Sequence, residues 1–450
     1  MEAIEHNLGS AAHNLTTLER KEKALARYKM ERDWFAFLLE AAEMMDTPEG
    51  KLQVKLLTIL LDSKERVISS VMNDTPFVAA YFCTAPEILN AMNLPWFMIM
   101  ETPFLAASAP YLLDDLRGAE EMGLGTDLCS AIRLPMYYIE SGLMPVPSAV
   151  VGLLSPCDGT TMLQQVLQHN PAWKNVPLFA PDPPYTSDER AIRYFANELR
   201  TMVSFLEEKT GRKMDRHRLR EVCEESNRTY KLWQEYNELR RAVPCPHGWE
   251  IGGAQAFAVS QCFVAGDARC TEWFQQLLEC GEIKVKEGRG ANEYFPEKIR
   301  ILWFDIMPYG WVFEFMPWLE QEWGAILVMD MFSNFPYTLI DTSSEETMFH
   351  DLAKRNLMDV PMIRQARGTA ENFSSDITRM VKDYKIDCVI WPGHMGHKDG
   401  AATAGIMRET CRGLGVPFLH IGLDLFDRRY TSVDEVKDKV SEFFRGMGLG

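Results

Sequence analysis

The sequence has no long hydrophobic run. Met144–Leu154 is among its longest apolar stretches, well short of the roughly 20 residues a helix needs to span a bilayer. It also has no excess of positive charge. Lys and Arg number 47 and Asp and Glu 64, for a net charge of −17. That balance excludes a protein that grips phosphate backbones and disfavours anionic membranes. Cysteine is sparse, with ten scattered through 450 residues, unlike a secreted disulfide framework. The opening Met1-Glu-Ala-Ile-Glu-His6 has neither a basic nor an apolar signal region, so a cytoplasmic protein is expected. Motifs are missing too. There is no G-x-x-x-x-G-K-[ST], C-x-x-C, H-E-x-x-H or G-x-S-x-G. Gly123-Leu-Gly125 lacks a third glycine and follows no predicted strand. P-loop, zinc-ribbon, zincin, nucleophile-elbow and dinucleotide-fingerprint chemistry therefore fall away.

What remains is an ordinary folded composition, 46% hydrophobic and 25% charged, long enough for two or three domains. Glu19–Met44 and Leu52–Leu61 carry apolar residues at helical spacing. From Pro76 short apolar runs alternate with helices. Phe77–Phe82, Pro95–Met100, Pro147–Leu154 and Val176–Phe179 read as buried strands, Pro86–Met92 and Thr160–His169 as helices. Pro171–Pro184 reads as a loop, Thr186–Ala242 as a helical insertion or hairpin, and Gly281–Glu297 as a linker. A second alternation follows, with strands at Ile299–Ile306, Ala325–Met331, Ile386–Trp391 and Pro417–Leu423. Its helices are Gly310–Trp323, Glu371–Tyr384, Ala401–Leu414 and Val433–Phe444. The expected fold is α/β, with two open parallel-sheet domains of Rossmann or flavodoxin type and helical additions. The expected divisions are a helical region at 1–65, a first α/β domain at 66–185, a helical segment and linker at 186–297, and a second α/β domain at 298–450.

Ligands of open α/β sheets bind beyond the carboxyl ends of the strands. Cys83 directly follows one predicted strand, Cys157 comes three residues after another, and His394 and His397 follow a third. Cys129 lies in the loop Gly123–Ser130. Thr84-Ala-Pro-Glu87 has the form of a capping box, which would set Cys83 at a helix N-terminus, where a thiolate is favoured. Buried packing explains Cys83 equally well, and explains a lone Cys129 better. Cys157 sits in the polar turn Ser155-Pro-Cys-Asp-Gly159, a functional loop position. His394-Met-Gly-His397-Lys-Asp-Gly400 is the least core-like strand end, a ligand or proton-donor candidate. Cys223, Cys388 and Cys411 read as packing residues. Cys245, Cys262, Cys270 and Cys280 lie in a Gly- and aromatic-containing region, with Pro244-Cys-Pro-His247 reading as a turn. Thiolates on separate loops suit an iron–sulfur cluster with one open iron.

These residues resemble the 2-hydroxyacyl-CoA dehydratase / benzoyl-CoA reductase family, from about Glu65 to the C-terminus. Cys83-Thr-Ala-Pro-Glu-Ile-Leu89 resembles the family's first cluster cysteine followed by P-x-E, here contracted to P-E. Leu128-Cys-Ser-Ala-Ile-Arg133 resembles its second, and Ser155–Gly159 its C-D-G turn. Phe205–Met214 with Ser226-Asn-Arg228 resembles its middle helices, and Arg300-Ile-Leu-Trp303 the strand opening its last domain. The resemblance implies a [4Fe-4S] cluster, or a larger one, held by Cys83, Cys129 and Cys157. It also implies a paralogous second core subunit, an acyl-CoA substrate, an ATP-hydrolysing activator and ferredoxin upstream. The missing P-loop agrees with energy input from a partner. Where the family carries a late third cysteine, this chain has His397. Either His397 replaces that ligand, or Cys157 is the third thiolate and His397, with His394 nearby, serves as the acid. The Gly-His-Lys-Asp399 pattern resembles the larger core subunit of ATP-dependent benzoyl-CoA reductase, which implies reduction of the benzoyl-CoA ring to a cyclohexadiene. The alternatives are a 2-hydroxyacyl-CoA dehydratase subunit and a non-catalytic electron-relay subunit. Lys398, Arg133 and Arg212–Arg220 are candidates for coenzyme A phosphates.

Overall fold

The computed structural model describes residues 15–81, 85–101, 109–152, 154, 158–251, 255–256, 264–333, 335–366 and 370–448. The chain begins with a helical hairpin, α1 (Thr17–Glu43) and α2 (Pro48–Asn73). Thr16 and Glu19 close a capping box on α1, while Thr47 and Pro48 start α2. The first sheet region holds β1 (Val78–Ala80), α3 (Pro86–Ala91), β2 (Trp96–Met98), α4 (Leu112–Glu121), α5 (Ser130–Glu140), β3 (Ala149–Val151), α6 (Asp158–His169) and β4 (Leu178–Phe179). A second hairpin follows, α7 (Glu189–Thr210) and α8 (Arg216–Leu239), capped by Asp188 and Asp215 and broken at Gly211, whose φ of +71° suits glycine. After α9 (Ala268–Glu287) come β5 (Ile299–Trp303), α10 (Val312–Trp323), β6 (Ala325–Asp330), α11 (Glu345–Asp359), α12 (Pro361–Ala366), α13 (Ala370–Asp383), β7 (Cys388–His394), α14 (Lys398–Leu414), β8 (Phe418–Leu423) and α15 (Val433–Gly446).

Among the described residues the strands form two four-stranded, wholly parallel sheets, ordered β2-β1-β3-β4 and β6-β5-β7-β8. The central strands are buried on both faces, which is why they read as unbroken apolar runs. The two α/β domains are therefore present. Within both sheets the order reverses beside the first strand, between β1 and β3 and between β5 and β7. Such a reversal opens a crevice at the carboxyl ends of the flanking strands. Cys83 and Cys157 follow β1 and β3 in sequence, and the two histidines end and follow β7.

Some elements differ from the sequence reading. Gly281–Glu287 is the last two turns of α9, and the break comes at Gly288. The tertiary contacts of Cys280 and Lys284 keep that charged stretch helical. Strands are mostly shorter than their apolar runs, because flanking apolar residues leave the ladder as buried loops. The helices α4, α5 and α11 were not among the elements expected from the sequence.

Three junctions tie these parts together. At the first hairpin, Lys64 Nζ lies 2.7 Å from Glu31 Oε2 and 2.6 Å from Glu101 Oε1. Arg27 there joins Glu31 and Asp115. At the second hairpin, Ser226 on α8 and Arg355 on α11 meet Glu87 of α3. Between the sheets, Arg133 Nη2 reaches Asp427 Oδ2 at 3.0 Å. No described helix is long and apolar enough to cross a membrane.

Candidate functional site

The two sheets meet where the α5 N-terminus faces the loops after β5, β7 and β8. Cys129 is the N-cap residue of α5 and is 4% exposed. Its thiol and the His397 ring are electrostatic neighbours, so the ring from one domain faces the sulfur from the other. His397 Nδ1 also lies 3.7 Å from Asp305 Oδ1, just past β5. Asp305 is held in turn, Oδ2 accepting from Trp391 Nε1 at 3.2 Å and Oδ1 from the Ile306 amide at 2.7 Å. The His394 ring centre is 5.4 Å from that of His397. His394 Nε2 donates to the Ile306 carbonyl at 2.8 Å, so Nδ1 carries the lone pair, buried with no hydrogen-bond partner among the described residues.

Charge separates the two imidazoles. Burial works against protonated His397, but Asp305 and Cys129 outweigh it and raise its pKa well above the usual histidine value. Burial lowers the His394 pKa. Asp305 opposes that shift, whereas the neighbouring His397 adds to it. Burial would raise Asp305, but His397, His394 and the Ile306 amide hold it below the usual carboxylate range. One imidazole is thus held as a cation and the other neutral, a division suited to paired acid and base roles.

Gly396 makes the close approach possible. A Cβ there would sit 2.6 Å from the Cys129 nitrogen, and its φ of +85° already favours glycine. Arg133 is 1% exposed and paired with Asp427 and Glu120, so it fastens the domains rather than facing a phosphate. Arg216 and Arg218 pair with Glu345 and Glu221 at the surface. The Lys398 side chain lies outside the described residues, as do Cys83, Cys157 and Cys262. Thr84, the first residue of the capping box predicted at Thr84–Glu87, lies outside the described residues. Ala85, at φ +47°, is the N-cap of α3 without a side-chain cap. Glu87 turns instead to two buried partners, Ser226 and Arg355. Burial pushes the thiols of Cys223 and Cys411 up to about 12, and those of Cys245, Cys270, Cys280 and Cys388 up as well. A cavity of about 540 Å³ bordered by Arg20, Ser70, Phe77 and Ser148 lies at the opposite, amino ends of β1 and β3.

Asp305 was not among the residues singled out from the sequence: the expected strand Ile299–Ile306 runs over it, whereas β5 ends at Trp303 and leaves Asp305 just beyond the strand. An acid at such a position is too common to stand out until its partners are visible. As a cluster ligand Cys129 has suitable chemistry, a thiol at a helix N-terminus beside a cationic ring. His397 suits that role less, since its ring already serves Asp305 and Cys129. No group of three or more metal-binding side chains gathers among the described residues.

Residues 82–446 match the model of the 2-hydroxyglutaryl-CoA dehydratase D-component family. The chain belongs to this family. It is 28% identical over 164 residues to (R)-2-hydroxyglutaryl-CoA dehydratase subunit alpha of Acidaminococcus fermentans. That match covers 35% of this chain and 33% of the relative. It is 25% identical over 194 residues to the (R)-phenyllactyl-CoA dehydratase alpha subunit of Clostridium sporogenes, covering 41% and 46%. The matched stretches thus span a third to under a half of the curated relatives.

Proposed function

We propose that this chain is a subunit of a 2-hydroxyacyl-CoA dehydratase. The observation that carries this reading is the run of Cys129, His397 and Asp305 at the carboxyl ends of the strands, inside the family-matched span. In it, Cys129 holds an iron–sulfur cluster together with Cys83 and Cys157. When bound, a [4Fe-4S] cluster with one open iron supplies low-potential one-electron chemistry and a Lewis acid. Asp305 keeps His397 protonated, and the His397 imidazolium donates the proton with which the substrate's hydroxyl leaves as water. Neutral His394 offers Nδ1 as acceptor for the hydrogen lost from the adjacent carbon as a proton. The family's dehydratase chemistry favours this over ring reduction. A paralogous second subunit and an ATP-hydrolysing activator, fed by ferredoxin, complete the machinery, in keeping with the absent P-loop.

A second reading, the benzoyl-CoA reductase core subunit, is favoured by one observation, the Gly396-His-Lys-Asp399 pattern, whose His397 would be the acid that ring reduction needs. Anaerobic purification with the partner subunit and activator separates the two. Iron and sulfide content with Mössbauer spectra is measured first, then turnover of 2-hydroxyacyl-CoA against benzoyl-CoA. Iron–sulfur content with dehydration is the expected result. Turnover of benzoyl-CoA alone would establish the reductase instead, and protein free of iron would remove the cluster from both.

A further inference from the structure

Cys129 belongs to the first α/β domain, yet its place is set from the second. It caps α5 without a side-chain hydrogen bond of its own. The next amide, Ser130 N–H, donates to Asp424 Oδ2 at 3.2 Å, and the Ser130 hydroxyl donates to Asp424 Oδ1. Asp424 follows β8, 294 residues away along the chain, and is 3% exposed. Its Oδ1 also accepts from the amides of Phe426 at 3.0 Å and Asp427 at 2.8 Å. Ser130 Oγ accepts from Phe426 N–H at 3.2 Å. One turn further into α5, Arg133 pairs with Asp427. On the other side of the cysteine the Gly396 backbone lies against it. Cys129 is thus held between the loops after β7 and β8.

We propose that Asp424 is a positioning residue, a carboxylate from the second domain that caps α5 and so holds the Cys129 thiol against His397. Helix N-termini leave amides unsatisfied and favour negative charge. The cap is normally local in sequence. Here it comes from the other domain, so the thiol–imidazole contact exists only while the two domains are docked. The inference rests on the proposed role of Cys129 as a working thiol. Its test reads thiol exposure in cluster-free protein, so it can fail while the dehydratase reading stands, and the reverse.

The test is iodoacetamide trapping of the full, metal-free chain under reductant, well below its melting temperature. Modification of Cys129, Cys388 and Cys411 is followed by peptide mass spectrometry. Cys388 and Cys411 are fully buried elsewhere and act as internal clocks for global opening. Asp424→Asn keeps an oxygen for the Phe426 and Asp427 amides but turns an NH2 towards Ser130 N–H. Ser130→Ala leaves the Asp424 turn intact and removes only the hydroxyl. Asp376→Asn is the control, removing a buried acid that pairs with Arg364 and Arg379. Asp424→Asn is expected to speed Cys129 modification about tenfold relative to the two clocks, in line with loss of a helix cap. Ser130→Ala should give a smaller rise in the same ratio, and Asp376→Asn none. An unchanged ratio in both Asp424→Asn and Ser130→Ala overturns the proposal. So does acceleration of all three thiols together, the mark of general loosening.

Discussion

At the scale of single residues, two histidines three positions apart carry opposite protonation because their neighbours differ. At His397 the Asp305 carboxylate and the Cys129 sulfur outweigh burial, while at His394 burial, aided by the His397 charge, outweighs Asp305. Gly396 between them needs to remain glycine. Gly396→Ala adds a left-handed strain of about 1–2 kcal/mol and a contact with the Cys129 backbone. Differential scanning calorimetry should show that loss. Anaerobically reconstituted protein should bind less iron if Cys129 is a ligand. Glu320 offers a pH test away from this site. Burial first, and then the Glu250 charge, push its pKa up to about 7, and Oε1 has no hydrogen-bond partner among the described residues. A carboxyl raised on folding from 4.5 is bound to its proton more tightly in the native state. Its penalty is therefore absent below about pH 4.5, grows as pH rises, and is complete above about 7. Glu320→Gln should stabilise the protein at pH 8 by at most about 3 kcal/mol, and hardly at all near pH 4.5. Urea unfolding at both values checks it, and equal effects at both would contradict the assignment.

At the scale of elements, the middle hairpin acts as a bridge. Arg355 of α11 donates to Glu87 of α3, to Ser226 and Asn227 of α8, and to the Thr338 carbonyl, and it lies 3.7 Å from the centre of the Tyr230 ring. Arg355 and Glu87 are each 2% exposed. Truncating one partner leaves the other charge buried and unpaired. Arg355→Ala should therefore cost about 3–5 kcal/mol in urea unfolding. The double variant Arg355→Met with Glu87→Gln should cost less than Arg355→Ala alone, because no charge is stranded. The helical nature of this region, with a hairpin as one of its two readings, was legible from its charge and apolar spacing. The inward turn of Glu87 was not. Its sequence context is a good local capping signal, and only the arrival of α8 and α11 gives it stronger partners.

At the scale of the whole molecule, the net charge of −17 sets up mutual repulsion among surface carboxylates. Raising sodium chloride from about 50 to 500 mM should raise the melting temperature by screening that repulsion. An uncharged osmolyte at matched osmolality separates screening from solvent exclusion. A melting temperature that falls with salt would mean that surface ion pairs such as Lys21–Asp74 outweigh the net repulsion.

The amino-acid sequence alone determined the layered α/β architecture, since buried parallel strands and amphipathic helices have different apolar periods. It also determined which strand ends carry sulfur and imidazole. Tertiary structure decided the partnerships. Cys129 meets His397 across two domains, Asp305 orients that ring, and Asp424 caps a helix nearly 300 residues distant. Hydrogen bonds and charge pairs depend on distances of a few ångströms, and those distances exist only after the two sheets have docked.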